Sequence, residues 1–80
     1  MRNTCVFCGG DVEERVVRVV EDVDDELIIV EGVPAGVCTR CGEREFSPDT
    51  VRRLERIRLG RQGITGRRSV PVAEFDRVAA

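Results

Sequence analysis

The sequence predicts a small α+β domain built around one metal ion, and three observations lead to this prediction. A chain of 80 residues makes one domain at most, and so short a chain buries too little surface to be stabilised by its core alone. Two Cys-x-x-Cys-Gly motifs provide a set of metal ligands. Val-rich segments and one amphipathic segment provide strands and a helix. We therefore predict a zinc-ribbon-like fold with a two- to three-stranded antiparallel sheet and one C-terminal helix.

Two β-branched segments separated by acidic turn residues predict a β-hairpin. The strands are residues 15–21 (RVVRVVE) and 26–31 (ELIIVE), joined by the turn 22–25. In the first strand Val17 and Val19 lie on one face, since side chains alternate along a strand. A proline and two glycines interrupt the second apolar segment at 32–36, so the second strand is predicted to end before them.

One helix is predicted after the second cysteine motif. Ser47 is in the N-cap position, Pro48 is at the first helical position, and Asp49 adds an acid to the first turn. Gly60 is the predicted end. The apolar stripe of this helix recurs every three residues, at Val51, Leu54 and Ile57. Residues 43–46, which precede the helix, are predicted to be extended.

The chain divides at residue 60. Residues 1–60 are predicted to form the zinc-binding domain, and residues 61–80 an extended tail that binds a partner. Within the tail, the candidate contacts are the apolar residues of an extended segment: Val70, Val72 and Phe75. Pro71 keeps this segment out of a central strand, but an added edge strand tolerates a proline. The alternative is a disordered tail.

The four cysteines are the strongest functional signal in the sequence. They form two pairs, Cys5 with Cys8 and Cys38 with Cys41, and 29 residues separate the pairs. Two intervening residues let both sulfurs of a pair reach one ion at about 2.3 Å. A glycine follows each pair, at Gly9 and Gly42, and permits the positive φ that such a turn needs. We predict one structural Zn²⁺ held by Cys5, Cys8, Cys38 and Cys41.

Two other uses of these cysteines stay open. Rubredoxin-type iron sites also use paired CxxCG motifs, but those proteins pack aromatic residues around the iron, and this chain has three Phe with no Trp or Tyr. Two disulfides are the other alternative. The sequence shows no signal peptide or apolar membrane span, so we predict a cytoplasmic protein, in which thiols stay reduced.

The sequence contains few of the residue types that enzymes use for catalysis. Four cysteines fill all four positions around a tetrahedral metal, which leaves none for a substrate or a water molecule. The chain has no His as a base near neutral pH and no Lys as a nucleophile. Its glycines form no phosphate-binding loop. We predict a binding protein with no catalytic residues and a metal that stabilises the fold.

Charge is unevenly distributed along the chain. Residues 1–51 contain twelve acids and five arginines, a balance of −7, whereas residues 52–80 contain eight arginines and three acids, a balance of +5. The Arg-rich segment 52–68 is a solvated helix face or a site for an anionic partner, protein or nucleic acid. No aromatic residue lies within 52–68, and base stacking therefore has no platform there.

Residues 5–57 resemble the YgiT-type zinc-finger proteins, which are similar to the N-terminal zinc domain of MqsA-type antitoxins. The resemblance rests on CVFCGG, the Val-rich hairpin and, above all, GVPAGVCTRCGEREF at 32–46. It implies that Cys5, Cys8, Cys38 and Cys41 bind zinc. It also implies a type II toxin–antitoxin system, in which the zinc module contacts a small RelE/MqsR-like mRNA-cleaving ribonuclease.

MqsA proper continues into a DNA-binding helix-turn-helix domain, for which this sequence supplies only one helix. We therefore expect an antitoxin that acts on its toxin without operator binding through such a motif. The alternative is a zinc-ribbon protein that binds nucleic acid through the Arg-rich segment 52–68, and a rubredoxin-like electron carrier is a third hypothesis. The sequence also leaves a homodimer open, and predicts no membrane partner.

Overall fold

The computed structural model describes residues 4–80 and has one three-stranded antiparallel sheet and one α-helix. The strands lie in the order β1-β2-β3, so β2 is central. This architecture confirms the predicted α+β, zinc-ribbon-like class. The elements in chain order are β1 (Val12–Val23), β2 (Glu26–Cys38), β3 (Arg44–Glu45), α1 (Pro48–Gly60) and a 3₁₀ turn (Phe75–Arg77).

The predicted hairpin is present, with a two-residue turn. Val23 pairs with Glu26, and the intervening Asp24 and Asp25 have φ values of 49° and 63°. Two successive left-handed residues make a type I′ turn, whose twist matches that of the flanking strands. Aspartate tolerates this conformation better than most residues because its short side chain forms local hydrogen bonds.

The second strand is longer than predicted. Instead of ending before residues 32–36, β2 continues through them to Cys38. A β-bulge absorbs the irregularity: Val17 pairs with Val33 and Val19 with Val30, so two β2 residues lie opposite one residue of β1. One of the two, Gly32, has φ +72°, which a glycine adopts without strain. Glycine therefore bends the strand here and does not end it.

The hydrophobic core is small and lies around β2. Its fully apolar buried side chains are Ile28, Val33 and Ala35, and the other buried hydrophobic residues are the two cysteines Cys5 and Cys38. No large side chain among residues 4–80 is fully buried. Val17 and Val19 are half-buried, as predicted for one face of β1, whereas the neighbouring Val16 on the other face is 73% exposed. The core alone is thus too small to stabilise the chain comfortably.

Helix α1 begins as predicted. The Ser47 hydroxyl accepts a hydrogen bond from the Thr50 N–H at 3.2 Å, and Pro48 occupies the first turn. The helix extends to Gly60, but the left-handed cap is the next residue, Arg61, at φ 55°.

The covered face of α1 differs from the predicted stripe. Thr50 is buried, and Leu54 and Ile57 are half-buried, whereas Val51 is 42% exposed. The buried face of the helix therefore starts at Thr50. Threonine is acceptable there because its hydroxyl has a partner, the Ser47 hydroxyl at 3.0 Å.

The tail beyond α1 forms no strand, and every residue from 61 to 80 is exposed. Two ion pairs hold its first part beside β2: Arg61 contacts Glu26 at 2.7 Å, and Arg68 contacts Glu31 at 2.8 Å. A groove of about 510 Å³ separates the tail from this part of β2. Beyond Arg68, Val70 still lines this groove, and the Arg77–Glu74 ion pair at 3.0 Å is a local contact of the last residues.

The molecule is flat and open. Its extents are 40 × 39 × 17 Å, and its accessible surface is 6598 Å². A compact monomer of 8.9 kDa exposes only about 4800 Å². Much surface is thus left for partners. None of the helices among residues 4–80 has the length and apolar character to cross a lipid bilayer.

Candidate metal centre

The two CxxCG motifs fold into two nearly identical turns. In the first, Gly9 has φ +76° and donates its N–H to the Cys5 carbonyl at 3.0 Å. In the second, Gly42 has φ +77° and donates to the Cys38 carbonyl, also at 3.0 Å. Both glycines point toward open space, so the sequence needs glycine there for its positive φ and not for a lack of room.

Each turn directs backbone N–H groups at its own sulfurs. The N–H groups of Phe7 and Gly10 donate to Cys5 Sγ and Cys8 Sγ, and those of Arg40 and Cys41 both donate to Cys38 Sγ, all at 3.4 Å. Such bonds stabilise a negatively charged sulfur. The two turns therefore provide an environment for thiolates.

All four predicted ligands come together. The sulfurs of Cys5, Cys8, Cys38 and Cys41 lie within 4.8 Å of one another. Between the turns, Cys8 Sγ lies 3.4 Å from Cys38 Sγ, and Cys5 Sγ lies 3.7 Å from Cys41 Sγ. Sulfurs at the corners of a tetrahedron with metal–sulfur bonds of 2.3 Å are about 3.8 Å apart. The four residues could therefore hold one metal ion.

The sulfur spacing does not match disulfides. The four cysteines are free, and the shortest of these inter-turn separations, 3.4 Å, is well above the roughly 2.05 Å of a disulfide. Cys5 and Cys38 are buried, Cys8 is half-buried and Cys41 is exposed. The site thus lies at the edge of the core, with one ligand reaching the surface.

Contacts between the turns fix their mutual position. The backbone N–H of Thr39 donates to the Asp11 carbonyl at 2.8 Å, and the Thr39 hydroxyl donates to the same oxygen at 3.2 Å. The Arg40 guanidinium donates to the Cys8 carbonyl at 3.2 Å. These contacts could not be predicted from the sequence, because the hydrogen-bond acceptors of Thr39 and Arg40 lie 28 or more positions away along the chain. The one visible signal of these two residues is their place between Cys38 and Cys41.

Two of the four thiols, Cys38 and Cys41, have pKa values shifted in opposite directions. The backbone N–H groups of Cys41 and Arg40 lower the pKa of Cys38 to about 6. For Cys41, the Glu43 N–H lowers the pKa, but the Cys8 sulfur, burial and the other sulfurs outweigh it and raise that pKa to about 12. A bound cation would displace the proton from Cys41, because metal ligation requires the thiolate.

The predicted partner-binding residues are separate from this centre. Val70, Val72 and Phe75 are 45%, 88% and 92% exposed, and they lie in the tail. Arginines of the segment 52–68 are divided between two roles. Arg61 and Arg68 are paired with acids of β2, and Arg52 contacts Asp49 of its own helix at 3.8 Å. In the described part of the chain, four arginines have no acid within ion-pair distance: Arg53, Arg56, Arg58 and Arg67.

Comparison with known proteins identifies no relative, so the proposed function is argued from the residues and the geometry of the site. No protein-family model matches the chain, and neither does any curated protein or solved structure.

Proposed function

We propose that this protein is an antitoxin of a type II toxin–antitoxin system. In this proposal, it binds and neutralises a small RelE/MqsR-like mRNA-cleaving ribonuclease in the cytoplasm. One Zn²⁺ on Cys5, Cys8, Cys38 and Cys41 acts as a structural staple. Four thiolates suit zinc, and a filled coordination sphere suits a structural role. The similarity of residues 5–57 to YgiT-type proteins motivates the choice of partner.

The observation that carries the proposal is the charge at the hairpin end. Five of the six residues in 21–26 are acidic, and among residues 4–80 the only ion pair of this group joins Glu26 to Arg61. A ribonuclease that holds RNA presents a basic surface, so an acidic projection would attract it and could cover its RNA groove. Inhibition by covering needs no catalytic group.

The tail supplies a second point of contact. Val72 and Phe75 are almost fully exposed, and no contact with the rest of the described chain covers them. Phe75 begins the 3₁₀ turn in the structure, so it would have to become extended on binding. An extended apolar segment can then add a strand to a partner's sheet, with alternate side chains in its pockets. The acidic hairpin end would then set the rate of association, and the tail would hold the complex.

The test mixes the zinc-loaded chain with the toxin encoded in the adjacent reading frame and measures mRNA cleavage and binding kinetics. Asp24→Asn with Asp25→Asn removes two charges and keeps the turn, because asparagine also tolerates positive φ. We expect association to slow roughly 3- to 10-fold at low salt. Glu14→Gln with Glu43→Gln is the matched control and should leave the rate nearly unchanged.

Tail variants test the second contact. Val72→Ser with Phe75→Ser should weaken the complex about 10-fold or more with little effect on folding, since both side chains are exposed. Val78→Ser, outside the predicted segment and 67% exposed, is the control. Absence of any complex at micromolar concentrations, or equal binding by all variants, contradicts the proposal.

Nucleic-acid binding through the segment 52–68 is the second candidate. It is favoured by four arginines that have no ion pair with the described residues: Arg53, Arg56, Arg58 and Arg67. Mobility shift at graded salt separates the two functions. A nucleic-acid binder would lose affinity steeply as salt rises, and Arg53→Gln with Arg56→Gln would reduce that slope by about 2. The antitoxin proposal expects no shift at physiological salt.

A further inference from the structure

Strand β1 leaves one long edge of the sheet unpaired. β2 pairs with it on one side, and along residues 15–21 no strand of the described chain pairs with it on the other. The isolated bridge between Thr4 and Asp11 lies before this segment. Free N–H and C=O groups along an edge of this length are a template for another strand, and proteins usually block such an edge. Here the residues along it are mostly valine.

The sequence of this edge is self-complementary about Arg18. In RVVRVVE, an antiparallel copy centred on Arg18 places Val16 opposite Val20 of the copy on one sheet face. It places Val17 opposite Val19 of the copy on the other face. Two-fold symmetry repeats each pair, so four valine–valine pairs form. Cross-strand β-branched pairs are among the favourable ones in antiparallel sheets.

The charges agree with the same register. Arg15 lies opposite Glu21 of the copy, and the symmetry makes this pair twice. Within each chain, Arg15 lies opposite Ala35 and Glu21 opposite Ile28, so neither faces a charge across the existing hairpin. Arg15 contacts Glu13 of its own strand at 2.7 Å, an exposed pair that the guanidinium would share with Glu21 of the copy. Shifting the centre by one residue, to Val17, places Arg15 opposite Val19 and removes both opposite-charge pairs.

The two Arg18 side chains that meet at the symmetry axis each have an acidic partner in their own chain. Each contacts Glu31 of its own chain at 3.0 Å, next to the bulge. Glu31 also contacts Arg68 at 2.8 Å, so each Arg18 charge is offset by a carboxylate that it shares with a second arginine. Glu14 would face Asp22 of the copy, and this like-charge pair limits the favourable ladder to residues 15–21.

We propose that residues 15–21 of β1 pair with the same residues of a second copy of this chain, centred on Arg18, to form a six-stranded sheet. Seven residues extend about 23 Å along the edge. The valines that this pairing brings together include Val16 and Val20, which are 73% and 55% exposed in the monomer. An interface this small is in the weak class, so the dimer should form at micromolar or higher concentrations.

The test is sedimentation equilibrium of the zinc-loaded full chain from about 1 to 500 µM. We expect the mass to rise from 8.9 kDa toward twice that value. Arg15→Glu or Glu21→Arg alone converts both opposite-charge pairs into like-charge pairs and should weaken the dimer roughly 10-fold. The double swap, Arg15→Glu with Glu21→Arg, restores opposite charges and should restore the dimer.

Glu14→Arg provides a test in the opposite direction, because it would face Asp22 of the copy and should tighten the dimer. Circular dichroism checks that each variant is folded, and the double swap guards against a variant that merely unfolds. A chain that stays monomeric up to 500 µM overturns the proposal. So does a dimer that is insensitive to the single swaps, since that dimer would use the tail or the helix. Neither result depends on binding a toxin.

Discussion

Replacement of Gly10 by alanine probes how closely the two cysteine turns must approach. Gly10 is buried, and a Cβ there would lie 2.8 Å from Arg40 Cβ, 3.0 Å from Cys38 Sγ and 3.4 Å from Cys8 Sγ. Arg40 Cβ cannot move without its backbone, and Cys38 Sγ is a predicted metal ligand. The added methyl group must therefore push the first turn away from the second.

Overpacking of this kind costs about 1–3 kcal/mol. If the cost falls on the metal-bound state, zinc affinity should drop about 5- to 150-fold. Competition with a chromophoric chelator measures this affinity, and thermal unfolding of the loaded protein measures stability. Gly10→Ala with zinc affinity within twofold of the parent and an unchanged melting temperature would refute the reasoning.

Two other glycines separate the steric effect from simple loss of glycine. Gly9→Ala meets open space but has φ +76°, so only backbone strain of about 1 kcal/mol is expected. Gly66→Ala has neither a close neighbour nor a positive φ, and its effect should stay within about 0.5 kcal/mol. We therefore predict that Gly10→Ala destabilises the protein most, Gly9→Ala less and Gly66→Ala least.

Three further predictions concern the turn, the helix cap and the tail. Asp25→Gly relieves a residue at φ 63° and should stabilise the fold by about 1 kcal/mol in denaturant unfolding, whereas a loss of stability would contradict the type I′ turn. Ser47→Ala removes the N-cap acceptor and should cost about 1 kcal/mol in the same assay, with an unchanged midpoint as the contrary result. The hydrogen bond from Arg61 lowers the pKa of Glu26 below its ordinary 4.5, so the stability of this pair is complete above pH 4.5 and is lost as pH falls through the lowered pKa. A carboxyl ¹³C titration should show this, and Arg61→Gln should return the Glu26 pKa toward 4.5; a Glu26 pKa that does not respond to this change would disprove the contact.

The metal ligands and the start of the helix could be predicted because local sequence determines them. Two residues between paired cysteines fix the reach of their sulfurs, and Gly9 and Gly42 fix the turn. Ser47 and Pro48 define a helix start by the hydrogen bond that one offers and the N–H that the other lacks.

The length of β2 could not be predicted from local signals. Glycine and proline in 32–36 usually end a strand, but here Gly32 sits in a bulge and Pro34 pairs opposite Val16, at a point that β3 does not reach. Whether a glycine ends a strand or bends it depends on the partner strand. The role of Arg40 also depends on a distant part of the chain, because its guanidinium donates to the Cys8 carbonyl. Local sequence therefore could not predict it.

The buried face of α1 also could not be predicted from the periodicity of its apolar residues. A spacing of three fits Val51, Leu54 and Ile57, yet Thr50 is buried and Val51 is exposed. A single stripe on a short helix leaves its rotation uncertain by about one residue, and packing against β2 decides it.

The central claim is that four thiolates around one ion compensate for the small hydrophobic core of this chain. Native mass spectrometry of the full chain, with circular dichroism before and after chelation, tests it most directly. We predict one zinc ion per folded chain, and loss of the fold when the metal is removed or when Cys38→Ser deletes a ligand. A chain that stays compact and folded without metal would contradict the claim.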